Sequence, residues 1–248
     1  MKSRVELKAT AAKLFFENWF ILVLSAAVIW VVMQIQTQVM RMQARPPEEH
    51  LAILDATPGF EVMAETLRSA PEVGLSVWQV LLIFQILTIV MTLLGYGLSS
   101  LALKAAEGKD LPDLEIFYAY KKPLRWLAFY FIYTIKVLLW SMLFIIPGII
   151  AALNYSQAVF LMIEDESLSP LAAIKKSTVL MKERKIEYLI IVLSFFWFYV
   201  LAFFTMWVTT LYSDPYMRMT LAGYYKELTK AQSVSQSAHV GQTQPENV

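Results

Sequence analysis

Long apolar runs alternate with short charged ones along this chain, and six of the runs read as membrane helices. The first begins near Trp19 and continues to about residue 40, because Gln34, Gln36 and Gln38 are polar without carrying charge. The second covers 77–103 and ends in Gly95-Tyr96-Gly97-Leu98-Ser99-Ser100, where small residues let helices approach closely or kink. From Trp126 to Ile163 the only formal charge is Lys136. As one helix this stretch of about 38 residues would run about 57 Å, nearly twice the roughly 30 Å hydrocarbon thickness of a bilayer. Proline cannot donate to the helical ladder, and glycine after it accepts conformations other residues avoid. Two spans, 126–146 and 149–163, hinged at Pro147-Gly148, follow from that.

A fifth span covers 188–211. The apolar stretch Tyr216–Tyr225 has only about ten residues and contains Arg218, too few for an ordinary span. It reads as a tilted sixth span, 214–229, completed by its neighbours, with a re-entrant segment as the alternative. The expected architecture is an all-α polytopic helical membrane bundle of about six spans with interfacial amphipathic helices.

The polar segments complete the plan. Residues 3–18 carry Val5, Ala9, Ala12, Phe16 and Trp19 at helical spacing, with Lys2, Glu6, Lys13 and Glu17 on another face, as in a helix lying on the membrane. Residues 41–76 contain Pro46-Pro47, Pro58-Gly59 and six acids against three basic residues, so they form an extracytoplasmic loop with one short helix near 60–68. Ser169-Pro170 fits an N-cap followed by proline at the first helical position. The helix it opens places Leu171, Ile174, Thr178, Leu180 and Met181 on one arc and Lys175, Lys176, Lys182 and Glu183 on the other, an interfacial arrangement. The Ser/Gln-rich tail, 231–248, is expected to be a disordered cytoplasmic segment.

Composition narrows the class. With 58% hydrophobic and only 17% charged residues, the chain is too apolar for a soluble domain, and 248 residues leave room for one membrane domain, 1–230. A net charge of +1 argues against nucleic acid, which requires a concentrated cationic surface. Ser25-Ala26-Ala27 imitates a signal-cleavage site, but the apolar run is preceded by about 18 residues and continues past these small ones, as in a retained span.

Basic residues near span ends set the orientation. Four lie before the first span, five in 102–125 and five in 164–187, against three in the long loop. Both termini are therefore expected in the cytoplasm of a cell with an inner or plasma membrane.

Chemistry-bearing residues are few. Lys136 falls near the middle of a span, where a charge costs a few kcal/mol and either contacts a ligand or reaches an interface by its long stem. Asn154, Tyr155, Ser156 and Gln157 cluster inside the fourth span, where they either hydrogen-bond between helices or line a polar cavity with Lys136. Glu164-Asp165-Glu166 could hold a hard cation, but acids before a helix also favour its positive end. Arg218 and Asp214 have the i, i+4 spacing of a helical ion pair. His50 and His239 form no metal motif, and neither a G-x-S-x-G elbow nor a P-loop occurs. No catalytic residue, metal site or cofactor is expected.

The residues Ile146-Pro147-Gly148-Ile149, Tyr155-Ser156, Asp165, Ser169-Pro170-Leu171, Ala173-Ile174-Lys175-Lys176-Ser177, Met181-Lys182, Pro215-Tyr216 and Tyr224-Tyr225 occur in an order that resembles a bacterial family. That family is the integral membrane proteins called domain of unknown function 975. Asn18-Trp19, Gly95-Tyr96-Gly97 and Leu111-Pro112-Asp113-Leu114 add weaker matches. The resemblance implies an all-helical bacterial inner-membrane protein and supplies no substrate or catalytic residue. The long outer loop, the three glutamines and Lys136 fall outside the pattern.

The functional expectation is a non-enzymatic membrane protein acting through its bundle and a basic interfacial helix, with Lys175, Lys176 and Lys182 against membrane lipid. Envelope maintenance, stress response or protection against membrane-active peptides are the roles that suit it, with lipid or another membrane protein as partner. The alternative is a transporter, permease component or export accessory whose midplane cavity includes Lys136, Asn154, Tyr155 and Gln157. The orientation is directly testable because the chain has no cysteine. A cysteine at position 60 should react with an impermeant reagent in intact cells, and Lys175→Cys only after the membrane is opened; the reverse pattern would invert the topology.

Overall fold

A backbone in lipid must satisfy its own N–H and C=O groups, so runs this apolar fold as helices. The computed structural model describes residues 3–42, 48–59, 61–62, 65, 77–112, 114–205 and 207–242, and every regular element among them is helical. In order these are α1 (Arg4–Glu17), α2 (Trp19–Met42), α3 (Glu48–Asp55), α4 (Val77–Ala106), a 3-10 helix (Glu115–Lys121), α5 (Pro123–Leu143), α6 (Ile145–Tyr155), α7 (Ala158–Glu164), α8 (Pro170–Leu180), α9 (Lys185–Leu193), α10 (Phe196–Phe204) and α11 (Thr210–Gln242). The expected helix at 60–68 lies largely outside the described residues, whereas α3 forms earlier in the same loop.

Among the described residues, five stretches are long and apolar enough to cross a membrane: Trp19–Thr37, Gln79–Ala106, Pro123–Leu143, Ile145–Glu164 and Lys185–Phe204. The sixth expected span does not join them. Residues 214–229 are helical within α11, but Asp214, Arg218 and the charged residues from Lys226 onward keep that helix too polar. The same helix also replaces the expected disorder from Ala231, running without a break to Gln242.

The contacts form two compact units, 1–30 with 92–248 and, separately, 31–91. In the smaller unit the polar end of α2 finds a partner: Gln36 Nε2 donates to Thr88 Oγ1 at 3.0 Å. The larger unit carries most of the structure. There α1 is capped by a reciprocal pair, with Ser3 Oγ accepting from Glu6 N and Glu6 returning to Ser3 N. It packs against α11 through Leu7, Ala11 and Phe15, with the Phe15 ring edge-on to Tyr212. Val5, Phe16 and Trp19, the stripe expected against the membrane, lie off this contact and are exposed. The Leu7, Ala11 and Phe15 stripe, which the sequence reading did not mark, is the one that docks on α11.

The hinge between the third and fourth spans lies at Phe144, whose extended backbone (φ −162°, ψ 154°) separates α5 from α6. Pro147 falls in the first turn of α6, where its missing N–H costs nothing. Gly148 serves packing instead of the turn: a Cβ there would lie 2.1 Å from Ser141 Oγ, so only glycine lets α5 and α6 close on each other. The outer flanks of both helices, among them Leu139, Met142, Ile145 and Ile146, are exposed apolar side chains, a surface suited to lipid.

Close approach also fixes the 3-10 helix on α4. A Cβ on Gly97 would come within 1.8 Å of the Ile116 carbonyl oxygen, and a backbone atom cannot swing away. Gly97→Ala should therefore lower stability by about 1–3 kcal/mol, the usual cost of forcing extra volume into a packed interior. Thermal melting in detergent checks this, with Gly95→Ala as the milder comparison because its obstruction is the mobile end of Arg218 at 3.0 Å.

Candidate functional site

The fourth span is broken. Between α6 and α7 the backbone turns at Ser156 and Gln157, and the turn is held by Ser177 of α8. Ser177 Oγ accepts from the Gln157 N–H at 3.1 Å and donates to the Asn154 carbonyl at 2.7 Å. One hydroxyl thus satisfies both a donor and an acceptor released by the break. Its position follows from α8 folding back along α7, after Ser169 Oγ caps the helix on Ala172 N at 3.3 Å and Pro170 opens it.

A cavity lies on each side of α6. One, about 370 Å³, is lined by Trp140, Pro147, Ile150, Asn154, Tyr155 and Thr178, among others. The other, about 440 Å³, is walled chiefly by Tyr96, Phe129, Tyr133, Tyr155 and Tyr188. Tyr155 borders both. Neighbouring rings are in contact along the second cavity, with centroids 5.7 Å apart for Tyr96 and Phe129, 5.9 Å for Phe129 and Tyr133, and 6.2 Å for Tyr133 and Tyr155.

Arg218 of α11 sits behind this aromatic wall. Its guanidinium rests on Gly95 and donates from Nη1 to Ser99 Oγ at 2.6 Å, while Nε is buried without a partner among the described residues. The expected pairing with Asp214 is only a through-space attraction; the hydrogen bond goes to Ser99.

At the loop end of the bundle, charges are tied into pairs. Glu115 is 3% exposed, takes a hydrogen bond from Ser100 Oγ at 2.5 Å and faces Lys104 Nζ at 2.9 Å. Lys226 bridges Glu107 and Glu164, and Tyr225 also donates to Glu164. Arg125 Nη2 donates to the carbonyls of Met162, Asp165 and Leu168 at 2.9–3.0 Å, closing the C-terminal end of α7 where carbonyls lack helical partners. Glu166 takes Tyr118 at 3.1 Å and Lys122 at 2.5 Å.

A family described as Protein of unknown function (DUF975) matches residues 1–232. The chain belongs to this family. No functionally described protein and no solved structure matches it. For this DUF975 protein the five apolar helices mark a membrane protein, and the family description carries no activity.

Of the residues singled out in the DUF975 chain by sequence, some meet and others do not. Asn154 and Tyr155 share one cavity, while Tyr155 and Ser156 share the other. Gln157 contributes its main chain to the Ser177 clasp and its Nε2 to Ser156 Oγ at 3.0 Å. Lys136 is half-buried, about 20 Å along α5 from Pro123, and belongs to neither cavity lining. The acidic triplet points three ways, Glu164 to Tyr225 and Lys226, Asp165 to Ser167, and Glu166 to Tyr118 and Lys122. The three carboxylates thus do not converge on one point, and no cluster of three metal-ligating side chains occurs among the described residues. Sequence reasoning missed Tyr96, Tyr133, Tyr188 and Arg218 as one neighbourhood, because they come from four separate helices.

The loop-end pairs give the fold a pH dependence. Hydrogen bonds from Lys122 and then Tyr118 hold the Glu166 carboxyl below its ordinary value of 4.5. At Glu107 burial pushes upward, but Lys109 and Lys226 outweigh it and the net shift is again downward. A carboxylate whose folded pKa is depressed contributes its full stability above the unfolded value and loses it as pH falls through the folded one. Melting temperature should therefore drop as pH falls below about 4.5, and Glu166→Gln with Glu107→Gln should start lower at neutral pH and show a shallower drop.

Proposed function

We propose that this DUF975 protein is a non-enzymatic, multi-pass protein of the bacterial inner membrane that engages anionic lipid through the outer face of α8. Envelope maintenance, stress response or protection against membrane-active peptides are the roles this reading suits, with both termini in the cytoplasm. One observation carries it. α8 buries Ala173, Ile174, Ser177 and Leu180 against its neighbours, and turns Leu171, Lys175, Lys176 and Val179 outward. Leu171 therefore leaves the arc it was expected to share with Ile174, and an exposed stripe of apolar and basic residues results.

Such a stripe suits a membrane surface. Leu171, Val179 and, beyond the helix, Ile186 supply exposed apolar contact, while the lysines supply charge. Lys182 lies two residues past the helix, and with Arg184, Leu180 and Leu228 it lines a shallow cavity of about 190 Å³. The basic residues meet the anionic headgroups at about 1 kcal/mol each. A second membrane protein with an acidic surface would use the same face.

The paired cavities flanking α6 favour a second reading, a transporter or export accessory, in a form that uses Tyr155 and Asn154 and dispenses with Lys136. Replacing Lys175, Lys176 and Lys182 by glutamine tests the first. Stabilisation of the reconstituted protein by anionic over neutral liposomes should fall by about fivefold in lipid affinity per lysine. Equal behaviour of wild type and variant in both lipids would remove the basis for it.

A further inference from the structure

We propose that the tyrosine-walled cavity between α4, α5, α6 and α9 binds the head of a neutral, planar, lipid-soluble molecule bearing carbonyl acceptors, the quinone class. The proposal is independent of the lipid-binding role of α8.

Three observations converge on that chemistry. First, the hydroxyls of Tyr96, Tyr133 and Tyr155 make no hydrogen bond among the described residues, although all three side chains line one cavity of about 440 Å³. Inside a membrane span no water is at hand and a polar group left unpaired is costly, so three hydroxyl-bearing side chains around one space call for acceptors. An acyl chain would fill the volume and leave them unmet.

Second, apart from Ser156 the rest of the lining is aromatic and aliphatic, with Phe129, Ile149, Leu153, Val159 and Val192, and none of its side chains is formally charged. Phe129 and Tyr133 lie about 9 and 15 Å along α5 from Pro123, inside the span, so a ligand reaches them from the lipid phase. The contiguous ring wall offers a flat partner the offset-stacked and edge-to-face contacts that aromatic groups prefer.

Third, Arg218 stands behind Tyr96, and its charge acts on both Tyr96 and Tyr188. A positive field there favours oxygen acceptors and opposes an ammonium group, which an aromatic wall alone would otherwise attract. With Nη1 committed to Ser99, the guanidinium polarises the site from outside the cavity.

The test uses the purified full-length protein in detergent and a naphthoquinone with a short alkyl tail. Binding is read as saturable quenching of tryptophan fluorescence, since the Trp126 ring lies 4.8 Å from that of Tyr96. A Trp126→Phe variant should lose much of the signal. Tyr96→Phe, Tyr133→Phe and Tyr155→Phe keep the rings and remove only the hydroxyls; each should weaken binding by about 2- to 10-fold. Unchanged melting temperatures confirm that the variants fold. The matching alkylnaphthalene, which lacks carbonyls, should bind more weakly than the quinone and equally to wild type and variants. Equal affinity for both probes in the wild type, or variants that bind the quinone normally, would overturn the proposal. So would displacement of the quinone by a fatty acid that binds more tightly, which would assign the cavity to carboxylates.

Discussion

A chain that breaks a helix inside a membrane must re-pair the groups it frees, and here one serine does so. Ser177 accepts from Gln157 N–H and donates to the Asn154 carbonyl, so the turn between α6 and α7 costs no orphaned backbone group at those two positions. Much follows from this clasp. It requires α8 to lie against the break, which buries Ala173, Ile174 and Ser177 and leaves Leu171, Lys175 and Val179 facing out. It also sets the course of α6, whose two faces border the two cavities.

The loop end of the bundle stabilises that arrangement from one side. Arg125 gathers three carbonyls in and just beyond the last turn of α7, and Lys226 joins Glu107 to Glu164, linking α11 to the ends of α4 and α7. These contacts are charge-assisted and partly shielded from water, which makes them stronger than the exposed Lys13–Glu17 pair on α1. The result is a bundle with charged, cross-linked loops at one end and tyrosines deeper in. Both candidate activities, lipid contact at the surface of α8 and ligand binding within the aromatic wall, use side chains that this scaffold leaves uncommitted.

Much of the architecture was legible in the order of residues. Apolar length alone predicted five of the spans, and Ser169-Pro170 marked the start of α8 because a side-chain cap and a pre-set φ are local properties. Pro147-Gly148 pointed to a break within three residues of the one at Phe144, but assigned glycine the wrong task; its role depends on Ser141, in a different helix. Gly95 and Gly97 were read correctly as close-approach residues, without any indication that Arg218 and Ile116 were the groups approaching. The site was less accessible still. Asn154 and Tyr155 drew attention as polar residues in an apolar run, whereas Tyr96, Tyr133 and Tyr188 look unremarkable in their own helices.

What the sequence determined by itself was helix, five apolar crossings out of the six expected, and membership of DUF975, because apolar length, capping and motif order are properties of neighbours along the chain. The tertiary structure decided the rest. Which face of α1 and α8 is buried, where the fourth span breaks, and which tyrosines share a cavity all depend on contacts between residues tens of positions apart. Lys136 shows the difference plainly: the sequence marked it as an isolated charge, and only packing could show that the aromatic cavity forms without it.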